Sequence, residues 1–347
     1  MSDTADGAAP PVQGTSPAGT GVPAPPDAAA LPPLATAPVL AIAAAVAALL
    51  VAFSGRYGYH RDELYFLACG QHLAWGYPDQ PPLVPLIARL MSDLAPGSLV
   101  LLRLPSALVT GALVVLTALA ARELGGGRAA QVLAAAVIAV APVVTGAGHL
   151  LSTTTFGLPA WALLTWLLVR ILRTGDQRLW LAAGLAAGVG LMATDLIAFL
   201  VIAVVVALAV AGPREPFRSP WFYAGGALAL AIWSPYLVWQ AGHGWPELTV
   251  ARSIAAGQSG TSAPWWLIVP EQFVLVSWYF SPVWIAGLVR LFRDPACGGA
   301  GPSASRTRCW PWRSWSPAAS RTTWPGRLQS CWAPAPGRPW PGWGASR

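Results

Sequence analysis

The segment from Ser54 to Leu90, SGRYGYHRDELYFLACGQHLAWGYPDQPPLVPLIARL, concentrates the residues able to do chemistry. Asp62 and Glu63 are adjacent, flanked by His60 and Arg61. A carboxylate held at a membrane surface can serve as general base on an acceptor hydroxyl when its pKa suits the task. A neighbouring arginine keeps it ionised and can also pair with a phosphate. The same residues fit a simpler arrangement, an interfacial helix whose charged face is solvated and whose Asp62 stabilises the dipole near the amino-terminal end. Farther on, Asp79 in Gly76-Tyr77-Pro78-Asp79-Gln80-Pro81-Pro82-Leu83 either caps the amphipathic stretch running to Leu94 or offers a second acid to the site of Asp62. The two prolines stiffen the approach to that helix and fit its first turn. Asp62, Glu63 and Asp79 together can hold a divalent cation, since hard cations take clustered carboxylates. No spacing demands a metal.

The elements that must position these residues are membrane helices. Of the 347 residues, 55% are hydrophobic and 10% charged, whereas a soluble domain carries about a quarter charged residues. Apolar stretches able to cross a hydrocarbon core of about 30 Å, which takes roughly 20 helical residues, recur along the chain. Unbroken Ala/Leu/Val runs without alternation exclude a barrel. The expected fold is all-α, a polytopic transmembrane bundle with amphipathic helices in its first loop. Spans are expected near 35–53, 98–120, 128–147, 156–172, 180–194, 196–211, 221–239 and 266–290. The net charge of +7 comes from scattered arginines, which argues against a nucleic-acid surface. Cys69, Cys297, Cys309 and Cys331 show no paired spacing of a metal or disulfide framework.

Arginine in short loops marks the cytoplasmic side. Arg122 with Arg128, then Arg170, Arg173 and Arg178, then Arg214 and Arg218, then Arg290 and Arg293 occupy every second connection. This alternation requires two short crossings within 180–211, broken near Asp195, because a single crossing puts Arg214 and Arg218 outside. It makes the amino terminus cytoplasmic, although residues 1–33 contain no arginine and read as a disordered tail. Residues 54–97, 148–155 and 240–265 become outer loops of a multi-pass plasma-membrane protein.

The block Tyr59-His60-Arg61-Asp62-Glu63-Leu64-Tyr65 followed by Asp79-Gln80-Pro81-Pro82-Leu83 resembles the first outer loop of bacterial glycosyltransferase family 39 proteins, relatives of the protein O-mannosyltransferases and the aminoarabinose transferase. Gly148-His149-Leu150-Leu151-Ser152-Thr153-Thr154, Trp239-Gln240 and His243-Gly244-Trp245-Pro246 extend the resemblance over about residues 35–295. It implies a GT-C fold over 34–295 and a polyprenyl-phosphate sugar as donor. It further implies inverting transfer to an envelope glycan or protein outside the membrane. The family's catalytic acidic pair falls on Asp62 and Glu63. His60, Arg61, Asp79, Gln80 and His149 become substrate contacts, with a helix-end hydrogen bond the alternative for His149.

Two positions depart from the family pattern. Relatives usually have Asp where this chain has Gly157, and commonly Lys where it has Thr194-Asp195. Asp195 beside a donor phosphate raises the cost of binding it; at an exposed helix end it is innocuous. These departures keep an inactive homologue open as an alternative, and the broken spans keep a transporter or flippase open. From about Ala296 the chain is dense in Trp, Arg, Pro and Ser, and 296–347 is expected to be disordered. Relatives carry a block like Gly-Lys-Pro-Tyr-Tyr-Leu-Ala-Gly; coded GGC AAG CCG TAC TAC CTG GCC GGG and read one base later, it yields Ala-Ser-Arg-Thr-Thr-Trp-Pro-Gly. Residues Ala319 to Gly326 are that string, so the tail reads as out of frame.

Overall fold

The computed structural model describes residues 31–258 and 264–282, with 285 and 289. The tail expected over 1–33 is described only from residue 31, and the tail over 296–347 lies outside the described residues. The expectations for Arg290 and Arg293 also fall outside them.

Twelve α-helices follow one another among the described residues: α1 Thr36–Ser54, α2 Arg61–Gln71, α3 Leu83–Leu94, α4 Leu99–Glu123, α5 Arg128–Ala139, α6 Pro142–Gly148, α7 Thr153–Thr174, α8 Leu179–Leu191, α9 Leu196–Val210, α10 Pro220–Gly242, α11 Pro246–Ala255 and α12 Ile268–Val276. Helices α1, α4, α7 and α10 are long and apolar enough to cross a bilayer, and α5 with α6 forms a pair bent by 59°, the shape of a broken span or a re-entrant loop. Proline at the start of α6 has no N–H to continue the α5 ladder, which accounts for the bend. The protein is an all-α polytopic membrane protein. Ser98 and Ser152 cap α4 and α7 by accepting from Leu101 and Thr155. Gly175, at φ 71°, ends α7 in the left-handed region.

Helix α4 is the centre of the bundle, packed against α1, α3, α5, α6 and α7. At one end of it Glu123, buried, pairs with Arg170 (3.1 Å) and Arg173 (2.5 Å) of α7. Gln131 accepts from the Ala35 N–H at 2.8 Å, anchoring the start of α1 at this same arginine-bearing end. Helices α8 and α9 form a hairpin: Leu208, late in α9, shares a buried cluster with Trp180, early in α8, and with Ile171. The reversal at residues 192–195 falls at the break expected near Asp195, although α8 and α9 are each shorter than the helices that qualify as spans by length.

Helices α8 and α10 approach through glycine. A Cβ on Gly184 stands 2.1 Å from the Gly225 carbonyl oxygen, and one on Gly225 stands 2.2 Å from the Trp180 carbonyl. Small residues let membrane helices approach backbone to backbone. Gly184→Ala therefore forces the two helices apart, at a cost of about 1–3 kcal/mol. Its Tm in detergent is expected to fall, while Gly226→Ala, where a Cβ meets nothing within 4 Å, leaves Tm unchanged.

At the opposite end of the bundle α2 and α3 lie across the helix ends. Helix α3 buries Val84, Pro85 and Ala88. It leaves Leu86, Leu90 and Leu94 exposed on one stripe, the face that an interfacial helix lays against a bilayer.

Candidate active site

Adjacent helical residues point about 100° apart, so the phase of α2 decides which carboxylate of the pair faces in. Phe66 and Gly70 bury one face of α2, and Glu63, three residues before Phe66, goes in with them. Asp62 therefore points out.

Glu63 is fully buried and meets Arg103 of α4 in a two-pronged pair, Oε1 to Nε at 2.7 Å and Oε2 to Nη2 at 2.6 Å. Its Oε2 also accepts from the His60 N–H at 2.8 Å, closing a capping box at the start of α2, and its Oε1 from the Leu151 N–H at 3.2 Å. Burial alone pushes the Glu63 carboxyl up, but the Arg103 guanidinium and the two backbone N–H groups outweigh it and hold it below the usual carboxylate range. Four donors fill the roughly four acceptor positions of a carboxylate. In this arrangement Glu63, expected to share the catalytic role, has no lone pair left for a substrate proton or a metal ion.

Arg103 also donates to the carbonyls of Ser54 and Gly58, the latter at 2.8 Å, and its guanidinium lies 4.1 Å from the Tyr57 ring centroid. One buried arginine thereby fixes the end of α1, the turn 55–60 and the start of α2. The sequence reading passed over Arg103. Its signal was available, since a lone charge in an apolar helix marks a site by default.

Asp62 is 39% exposed in its side chain, and Arg61 is 83% exposed, donating to Asp62 Oδ1 at 3.1 Å. The His60 Nδ1 accepts from the Asp62 N–H at 3.2 Å. That nitrogen is therefore unprotonated, and its 3.7 Å approach to Asp62 Oδ2 is no ion pair. The His60 Nε2–H is left for a ligand.

Tyr65, three residues after Asp62 and so on its face of α2, donates to Asp79 Oδ1 at 2.5 Å. Burial, then the hydrogen bond to Asp79, push the Tyr65 hydroxyl well above its ordinary value, so it stays protonated and a donor. Asp79 is exposed, in a tight turn closed by the Tyr77 N–H to the Gln80 carbonyl at 3.1 Å. Gln80, expected as a substrate contact, points into the fold. It is 4% exposed, with Nε2 turned to Cys69 Sγ at 4.0 Å. His149 ends α6 with Nδ1 on the Thr145 carbonyl at 2.6 Å, the helix-end bond weighed as its alternative role, while Tyr57 donates to its own carbonyl at 2.6 Å. Among the described residues no group of three or more His, Cys, Asp or Glu stands ready for a metal. With Glu63 occupied, a divalent ion here has only Asp62 and Asp79 of the expected acids.

The remaining elements close on this end. The Leu83 N–H donates to the Met192 carbonyl at 2.9 Å, tying α3 to the α8–α9 reversal. Gln240 donates to the Tyr77 carbonyl at 3.0 Å, tying the Asp79 turn to α10. Gly157 and Thr194, the two departures from the family pattern, touch each other: a Cβ on Gly157 stands 2.9 Å from Thr194 Cγ2.

Residues 79–239 match the family model described as dolichyl-phosphate-mannose-protein mannosyltransferase. Comparison with curated proteins found no match, and comparison with solved structures found none. The matched stretch runs from the Asp79 turn to near the end of α10; α1 and α2, with Asp62 and Glu63, precede it.

Proposed function

We propose, from the premise that this is a membrane glycosyltransferase of the GT-C type, similar to glycosyltransferase family 39, that the chain moves a sugar from a polyprenyl phosphate to an envelope glycan or protein with inversion. The observation that carries the reading is the division of the acidic pair. Glu63 is locked to Arg103 and holds the loop, while Asp62 presents its carboxylate beside an exposed arginine and the free Nε2 of His60. Asp62 takes the proton of the acceptor hydroxyl as that oxygen attacks the anomeric carbon. The bond from that carbon to the phosphate oxygen breaks, and the polyprenyl phosphate leaves with the electron pair. Arg61 neutralises the charge gathering on that phosphate, and the His60 Nε2–H donates a hydrogen bond to it. Asp79, held by Tyr65, faces the sugar or acceptor hydroxyls from the neighbouring turn. Asp62 then returns its proton to solvent.

In this reading the end carrying α2 and α3 is extracytoplasmic, the amino terminus is cytoplasmic and the membrane is the plasma membrane, as arginine in every second connection supports. Residues 34–295 constitute the GT-C-like domain, and the tail beyond is out of frame. Membranes containing this chain, or a version with the frame restored, are to be supplied with a panel of polyprenyl-phosphate sugars and scored for released polyprenyl phosphate. Release with one donor and a product of opposite anomeric configuration supports the reading and identifies the sugar. No release by the frame-restored protein with any donor, despite correct folding, removes it.

A further inference from the structure

Tyr236 of α10 is fully buried, and its hydroxyl meets three partners. Gln240 Nε2 lies at 2.9 Å, Asp195 Oδ2 at 3.1 Å, and Glu247 Oε2 in close contact. Gln240 Nε2 carries only donors, and it also donates to the Tyr77 carbonyl. The Tyr236 oxygen therefore accepts from Gln240 and has one proton to give. It gives that proton to one of the two carboxyl groups. The other carboxyl oxygen can sit at hydrogen-bond distance only by bringing a proton of its own. Asp195 Oδ1 is buried without a well-formed hydrogen bond, as is the indole N–H of Trp233, the one further donor beside it among the described residues, an arrangement costlier for an ionised carboxylate than for a neutral acid.

We infer that Asp195, Tyr236 and Glu247 form a latch closed by one shared proton, which positions the segment after α10 over the end of the bundle that carries Asp62. The catalytic meaning of that position rests on the function proposed above; the latch itself does not. Through it Tyr236 joins the α8–α9 reversal to α11, and through Gln240 it reaches the Asp79 turn. The joint is under tension, because Trp245 stands at φ 58°, φ > 0 for a bulky residue, between Gly244 at φ 74° and Pro246. A backbone held there persists when its surroundings over-determine it, and Gln240 does so by accepting from the Trp245 N–H at 2.9 Å on its carbonyl.

The groups facing the latch are Tyr236, Gln240 and Trp233 from α10, Asp195 from the reversal and Glu247 from α11. Of the basic groups on this segment, His243 is stacked on Trp239 at 4.0 Å and Arg252 lies in the last turn of α11. Loss of the shared proton leaves two carboxylates against one hydroxyl, which repel. The latch is thus closed at low pH and opens as the pH rises.

Hydrogen–deuterium exchange of the full chain in detergent, corrected for the chemical dependence of exchange on pH, tests this without any need for glycosyl transfer. Exchange of Pro246–Ala255 is expected to rise roughly tenfold from acidic to alkaline pH, the effect of losing one hydrogen bond to a charged group. Asp195→Asn and Glu247→Gln, whose amides supply the second donor at every pH, are expected to stay protected throughout. Tyr236→Phe is expected to exchange fast throughout, with exchange in α4 unchanged in all variants. Flat exchange in the wild type, or a wild-type rise persisting in both amide variants, overturns the latch. So does full protection in Tyr236→Phe. A protein with this pH profile and no transferase activity would retain the latch and lose the proposed function, which keeps the two failures apart.

Discussion

Arg103→Met is expected to destabilise the protein by about 3–5 kcal/mol, because removing one partner of a buried ion pair strands the other charge. Glu63 would keep its carboxylate in a fully buried position, and the carbonyls of Ser54 and Gly58 would lose their donor. Arg103→Lys is not expected to rescue it, since an ammonium cannot reproduce the two-pronged pair and the contacts to both carbonyls. Thermal unfolding in detergent checks this as a large fall in Tm. A cycle with Glu63→Gln should show strong non-additivity, the two residues acting as one unit. The pH dependence follows from the lowered Glu63 carboxyl. Its stabilisation is complete above the ordinary glutamate range and is lost as the pH falls through the depressed folded-state value. Unchanged Tm in Arg103→Met would mean that the pair does not hold α2.

Asp62→Asn is expected to leave Tm unaltered and lower sugar transfer by about 10²–10⁴-fold, the usual contribution of a positioned general base. The change is isosteric and the side chain is exposed, so no buried partner is orphaned. Neighbouring residues should therefore fail in opposite ways. Changes at Glu63 cost folding, and those at Asp62 cost turnover with the donor still bound. Single-turnover kinetics beside thermal unfolding separates the two, and equal losses of stability at both positions would contradict the division of roles.

Much of this architecture is legible in composition. Apolar runs placed the first span at 35–53 and the second at 98–120, against helices Thr36–Ser54 and Leu99–Glu123. The α8–α9 reversal followed from counting arginines, where hydropathy alone allowed one long helix. Less visible was the interior of the span expected at 128–147, which bends at Pro142, and the helix α11 within the loop expected at 240–265. The site was legible in its residues and not in their facing. Nothing local says which of Asp62 and Glu63 turns inward, because that phase is set by Phe66 and Gly70 packing on α3 and α4. Arg103 lies 40 residues from Glu63, and Glu247 lies 52 residues from Asp195. Pairings over such separations are decided by which helix ends meet. The inward facing of Gln80 is illegible for the same reason, since a residue in this block reads alike whether it faces ligand or core.

The central claim is that Asp62 removes the acceptor proton while the donor is held by other groups. The most direct test mixes purified, frame-restored wild type and Asp62→Asn with the polyprenyl-phosphate sugar identified by the donor panel, under conditions where both bind it equally, and measures polyprenyl phosphate released in one turnover. The account predicts rapid release by the wild type and release slower by about a hundredfold or more in Asp62→Asn. Equal release by the two proteins at equal donor occupancy would contradict it.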